Sequence, residues 1–141
     1  MGNPDWETPP RFFASLNDQY HFTVDAAASH ANALLPRYWT EQDSGLKHSW
    51  AGERVFCNPP YDHNLYAWID KAAVRVAEVA VLILPPSVDT TWFHDLIWDC
   101  NLHQTRPGVS IQFLRGRLKF NFMGVPGLAP RLGTMLAIFE Y

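Results

Sequence analysis

The residues best placed to do chemistry are Asn58-Pro59-Pro60-Tyr61, which end the short apolar run Val55-Phe56-Cys57. Two successive prolines fix φ at both positions and remove two backbone donors, so a strand entering this stretch stops there. The carbonyls before and between the rings are left to accept hydrogen bonds, flanked by an amide side chain and an aromatic ring. Such a loop can grip a planar group carrying an NH₂, which is what group transfer to an aromatic or amide nitrogen requires. The same residues also read as a plain turn after a strand, because Asn-Pro opens turns in many proteins.

Asp25 is a second candidate, at the end of His21-Phe22-Thr23-Val24-Asp25 and before Ala26-Ala27-Ala28-Ser29. An acidic residue where a strand ends, followed by small residues, lets a ligand approach the backbone of an α/β sheet closely. The alternative is an Asp that caps an Ala-rich helix. Between the two sites, 32–50 has little periodicity and carries Tyr38, Trp39 and Trp50, rings that would either wall a purine or pack in the core. The histidines His21, His30, His48, His63, His94 and His103 are scattered without ligand spacing, so no metal centre is expected. Cys57 and Cys100 have no C-x-x-C spacing and read as buried small hydrophobes.

The elements that must position these groups follow from periodicity. Pro9-Pro10 suits the first turn of a helix over roughly Arg11 to Asn17, with Thr8 as its cap. Arg54 to Asn58 forms a central strand. Leu65, Trp68, Ile69, Ala72, Ala73 and Val76 recur at helical spacing, while Val79 to Leu84 reads as a strand buried on both faces and closed by Pro85-Pro86. Ser87 or Asp89 then caps a helix whose apolar side is Trp92, Phe93, Leu96, Ile97 and Cys100. The last third predicts a strand over Ser110 to Leu114, a basic turn Arg115-Gly116-Arg117 and a strand over Leu118 to Phe122. A Pro/Gly loop over Gly124 to Pro130 and a closing strand over Gly133 to Phe139 complete it. Parallel strands with helices between them, finished by an antiparallel C-terminal strand pair, make the expected class α/β in a single domain, 1–141.

No apolar run approaches the roughly 20 residues that span a bilayer, and the first residues are neither basic nor apolar enough for export. A soluble cytoplasmic protein with no membrane partner is expected. The net charge of −3 hides an asymmetry: up to Cys100 there are 6 Lys and Arg against 13 Asp and Glu, and from Asn101 onward 5 against 1. That basic end either supplies phosphate contacts or is a solvated strand face.

Several segments act together as a signature: Trp6-x-Thr8-Pro9, Phe22-Thr23-Val24-Asp25-Ala26-Ala27-Ala28-Ser29, Tyr38-x-Thr40-x-x-Asp43-x-Gly45-Leu46, Trp50, Val55 to Tyr61, Leu84-Pro85-Pro86 and Gly116-Arg117-Leu118-Lys119-Phe120. In order and spacing they resemble the phage-type DNA N-6-adenine methyltransferase family over nearly the whole chain. The resemblance implies a reduced Rossmann-like fold and methyl transfer from S-adenosylmethionine to N6 of a flipped or single-stranded adenine in DNA. For a phage-encoded chain it implies the cytoplasm of a bacterial host cell. It makes Asn58, Pro59, Pro60 and Tyr61 the catalytic loop, with the Asn58 oxygen and the Pro59 carbonyl accepting the two N6 hydrogens and Tyr61 stacking on the base. It places Thr8, Pro9, Asp25, Ala26 and Ala27 around the methionine end of the cofactor and Asp43 at its adenine amine. DNA phosphates fall to Arg115, Arg117 and Lys119, with Arg106 and Arg131 as weaker choices. The chain departs from the wider methyltransferase pattern in having Ala-Ala-Ala-Ser where a Gly-rich loop is usual, and the short Asp25-to-Asn58 separation implies a missing helix or strand. Two alternatives stay open. The same loop serves enzymes that methylate RNA bases or protein glutamine, and a non-catalytic DNA-binding relative would keep the fold; a homo-oligomer is possible without being indicated.

Overall fold

The structure, a computed structural model, describes residues 6–115, 120–122, 125–128 and 133–141. Its centre is a six-stranded sheet of β2 (Val24–Ala28), β3 (Tyr38–Thr40), β4 (Arg54–Cys57), β5 (Val79–Leu84), β8 (Val109–Phe113) and β11 (Met135–Glu140), in the spatial order β3-β2-β4-β5-β11-β8. The first four run parallel, and β11 lies antiparallel between β5 and β8. The sheet is therefore mostly parallel and closes with an antiparallel pair.

Period-two alternation sorts the side chains into two cores. On one face Val79, Val81 and Ile83 of β5, Phe56 of β4 and Leu136 and Ile138 of β11 pack with Phe13, Leu16 and Tyr20 of α1 (Pro10–Tyr20). On the other, Ala80, Leu82 and Leu84 join Val55, Cys57, Met135, Ala137 and Phe139 beneath Leu65, Trp68, Ile69 and Ala72 of α2 (Leu65–Ala73). All six residues of β5 are buried, as a strand covered on both faces must be.

A three-stranded sheet joins β1 (Trp6–Glu7), β9 (Phe120–Phe122) and β10 (Val125–Leu128), and a small pair joins β6 (Trp98–Asp99) and β7 (Gln104–Thr105). Between β2 and β4 the chain carries one short strand and no helix: 29–37 and 41–53 are turns, bends and coil. Among the described residues no helix is long and apolar enough to cross a membrane.

Several local expectations are corrected. Thr8 does not cap α1, whose N-cap is Pro9 without a side-chain bond; the Thr8 hydroxyl is used elsewhere. Ala26 to Ala28 continue the strand that Asp25 was expected to end, because β2 pairs with β3 as far as Ala28 opposite Thr40. Of the two readings left open for Trp39 and Trp50 the core one holds, since both are buried; the Trp50 indole donates to the Gly45 carbonyl at 3.0 Å. The helix expected through Cys100 is one wide turn, Phe93–Ile97, entered from Trp92 and not capped by Ser87 or Asp89; the Phe93 amide donates to the Thr90 hydroxyl at 3.3 Å. Cys100 is exposed. The strand after β8 pairs with β1 and β10 in the small sheet, β8 itself pairing with β11, and 125–128 form a strand where a loop was expected.

Candidate functional site

The direction of connection reverses between β2 and β4, since β3 lies to one side of β2 and β4 to the other. In open parallel sheets the carboxyl ends at such a reversal leave a crevice. Here it is a cavity of about 290 Å³, walled by Asp25 to Ala28 of β2, Thr40 and Glu41 at the end of β3, Ser44 to Leu46, Thr8, and Asn58 and Pro60 beyond β4. That is close to the lower bound, roughly 300 Å³, of small-molecule sites.

Asp25 is 3 % exposed at the cavity wall, and its Oδ2 accepts the Leu34 amide at 3.2 Å. Burial is the dominant influence and pushes its pKa up to about 6, against the backbone hydrogen bonds of Leu34 and Ala27 that pull it down. The two ion pairs among the described residues, Arg37–Glu53 and Arg54–Glu78, do not include it. A buried carboxylate without a cation is costly, and an ammonium in the cavity would relieve that cost. Its charge adds to burial in raising the Cys57 thiol well above its usual range, so Cys57 stays protonated and inert.

The opposite wall depends on Gly45. A Cβ there would lie 2.1 Å from the Ala26 carbonyl oxygen and 3.0 Å from the Trp68 ring, so only glycine allows this approach of backbone to backbone. The Trp50 indole and the Lys71 ammonium, which donates to the Leu46 carbonyl at 2.9 Å, pin the segment. The close approach a Gly-rich loop supplies after the first strand is supplied here from the facing loop.

Pairing of β4 with β5 ends at Cys57 opposite Leu82, and the proline-fixed loop begins at once. Asn58 Nδ2 donates to Thr8 Oγ1 at 3.3 Å, which leaves the amide oxygen at the other end of the group. The Tyr61 hydroxyl donates to the Ile83 carbonyl at 2.8 Å, and burial holds that phenol well above its ordinary pKa. Beyond the loop lies a second cavity of about 560 Å³, between Tyr61 to Tyr66 and Pro85 to Trp92. Asp62 lines both cavities, so the Asn58-to-Asp62 segment is the partition between them.

Of the residues expected around a cofactor, Thr8, Asp25, Ala26 and Ala27 line the first cavity together. Pro9 starts α1 outside the lining. Asp43 is exposed, accepts from the Thr40 hydroxyl at 3.4 Å and is not a lining residue, whereas Glu41 is. Glu41 escaped the sequence reading, and Gly45, though part of the signature, was given no role in the site; an acid directly after the strand-like Tyr38-Trp39-Thr40 and a lone glycine between aromatics were available signals. Arg115 is exposed just beyond β8. Arg106 is half-buried and donates to the His94 carbonyl at 2.6 Å, a structural use of its charge. Arg117, Lys119 and Arg131 lie outside the described residues.

A family model described as DNA N-6-adenine-methyltransferase (Dam) matches residues 3–127, which contain both cavities and the loop between them. The chain belongs to this DNA N-6-adenine-methyltransferase family. It is also similar to the DNA N-6-adenine-methyltransferase of Escherichia phage T1, with 29% identity over 92 residues. That alignment takes in 62% of this chain and 38% of the phage protein, so the chain spans well under half of its relative's length.

Proposed function

We propose that the chain transfers a methyl group from S-adenosylmethionine to the exocyclic N6 of an adenine in DNA, the base being extruded from the duplex or already single-stranded. The observation that carries this reading is the partition: one loop borders a cavity with a buried, cation-seeking carboxylate and, on its other side, a cleft containing Tyr61. We read the sheet as a reduced Rossmann-like fold, supported by the reversal at β2 and β4 and by the antiparallel β11. Loss of the helix between β2 and β3 accounts for the short Asp25-to-Asn58 separation.

The first cavity fits the donor chemically. Asp25 would hold its ammonium group, Thr8 and the backbone of Ala26 and Ala27 would border the methionine end with Pro9 behind them, and Glu41 or Asp43 would serve the adenosine end. When bound, S-adenosylmethionine supplies an electrophilic methyl group. The chain's own work is on the acceptor. The lone pair of an aromatic amine is delocalised into the ring, so the amine must be held with that pair directed outward. With Nδ2 given to Thr8, the Asn58 oxygen is the amide end suited to accept one N6 hydrogen, and the Pro59 carbonyl accepts the other. Both dipoles favour the positive charge that develops on N6. The donor, held by Asp25 and Thr8, would supply its methyl to the N6 lone pair that Asn58 and Pro59 direct toward it. One N6 proton then goes to water, since neither acceptor is a base of useful strength. Tyr61 stacks on the base, and Arg115, Arg117 and Lys119 take phosphates.

Incubation with labelled S-adenosylmethionine and DNA, followed by nucleoside digestion and mass spectrometry, tests the reaction, with RNA and glutamine peptides as comparison acceptors. N6-methyldeoxyadenosine from wild type, lost by at least 100-fold in Asn58→Ala with cofactor binding retained, is the expected result. Absence of methylated DNA, or label in RNA or peptide instead, would refute the assignment.

A further inference from the structure

We propose that Tyr66 is a second aromatic wall of the base cleft, held in place by Asp95, so that a nucleobase enters a slot between two tyrosines fixed at their hydroxyl ends. The inference deepens the methyltransferase reading and rests on it.

Tyr66 lies in the first turn of α2 and lines the 560 Å³ cleft with Tyr61 and Trp92. It is a large aromatic side chain left exposed, at 38 %. An exposed tyrosine normally keeps its rotamer freedom, but the Tyr66 hydroxyl donates to Asp95 Oδ2 at 3.0 Å. Asp95 belongs to the Phe93–Ile97 turn, which follows the opposite wall of the cleft, so this bond ties the two walls together. Tyr61 is held in the same manner, by its hydroxyl on the Ile83 carbonyl at 2.8 Å. Both rings are thus ordered before any ligand arrives, which lowers the entropic cost of stacking. The charges in the cleft say what enters. Among the described residues its lining includes Asp62 and Asp89 and neither lysine nor arginine, with His63 as the one basic type. A phosphate would be repelled there, whereas a neutral ring with N–H groups on its edge is accommodated.

The test has two readouts. In steady-state methylation of the DNA that wild type modifies, Tyr66→Ala is expected to raise the KM for DNA about tenfold with kcat changed less than threefold, as loss of one base–aromatic contact predicts. Tyr66→Phe keeps the ring but loses its bond to Asp95, so it raises KM only about threefold. Asp95→Ala releases the ring and raises KM about threefold, and Asp95→Asn, which keeps an acceptor, restores it. S-adenosylhomocysteine affinity stays constant throughout. Tyr66→Phe as damaging as Tyr66→Ala would make the residue a tie and not a wall, and an unchanged KM in Tyr66→Ala would remove it from the cleft. The second readout needs no turnover: a thymine oligonucleotide with a single 8-azidoadenine should photocrosslink to the peptide containing Tyr66. An active protein that crosslinks elsewhere overturns the slot. A protein that crosslinks at Tyr66 but methylates nothing keeps the slot and overturns the methyltransferase reading.

Discussion

Replacing Asp25 by Asn should stabilise the free protein at neutral pH and weaken cofactor binding, two effects of opposite sign from one buried charge. In the fold its pKa is about 6, against an ordinary 3.8. At about 1.4 kcal/mol per unit, keeping this carboxylate ionised at pH 7 costs the fold about 3 kcal/mol. Because the folded pKa is the higher one, the protonated carboxyl is tolerated fully below pH 4, and its contribution to stability is lost as pH rises from 4 through 6. Asn keeps the acceptor for the Leu34 amide but carries no charge, so Asp25→Asn should gain about 1–3 kcal/mol at pH 7 and nearly nothing at pH 4. For ligand binding the dependence runs the other way. If the ionised form holds the ammonium, the fraction ionised falls from about 0.9 at pH 7 to about 0.1 at pH 5, weakening affinity roughly tenfold. Titration calorimetry with S-adenosylhomocysteine, which carries the same ammonium group, measures this, and urea unfolding at the two pH values measures the other side. A wild-type Kd that is flat from pH 5 to 7, or a variant that binds as tightly as wild type, would refute the role. A variant less stable than wild type at pH 7 would refute the burial argument.

Gly45→Ala should lose about 1–3 kcal/mol in chemical denaturation and most of the cofactor affinity, because its Cβ meets a backbone oxygen at 2.1 Å and a tight wall must move. Tyr61→Phe removes the hydroxyl bond to Ile83 and should cost about 1 kcal/mol of stability with kcat/KM kept within a few fold, whereas Tyr61→Ala should reduce kcat/KM by roughly 10- to 100-fold. Equal losses in both would contradict stacking. Arg115→Gln should lower the salt slope of DNA binding by about one, measured by fluorescence anisotropy, and an unchanged slope would take Arg115 off the phosphates.

Local patterns of residue type carried much of this protein. The continuous apolar run Val79 to Leu84 could only be a strand covered on both faces, and the Leu65, Trp68, Ile69, Ala72 spacing could only present one apolar helix face to it. The prolines at 59 and 60 end β4 by their own covalent geometry, which is why the loop was legible before any fold. Tertiary structure decided what depends on distant segments meeting. Trp39 and Trp50 carry no local mark that separates a core ring from a ligand wall; that is set by the core cluster they share with residues of α2. Thr8 reads as a helix cap until Asn58, fifty positions on, takes its hydroxyl. Glu41 enters the cavity and Asp43 stays outside because the turn after β3 faces one way, a choice two acids in one loop do not encode locally. Gly45 is needed only because Ala26 lies against it. Sequence alone determined which groups were fit for the chemistry. Packing of the sheet determined which of them share a cavity, because proximity across a fold is a property of neighbours in space and not along the chain.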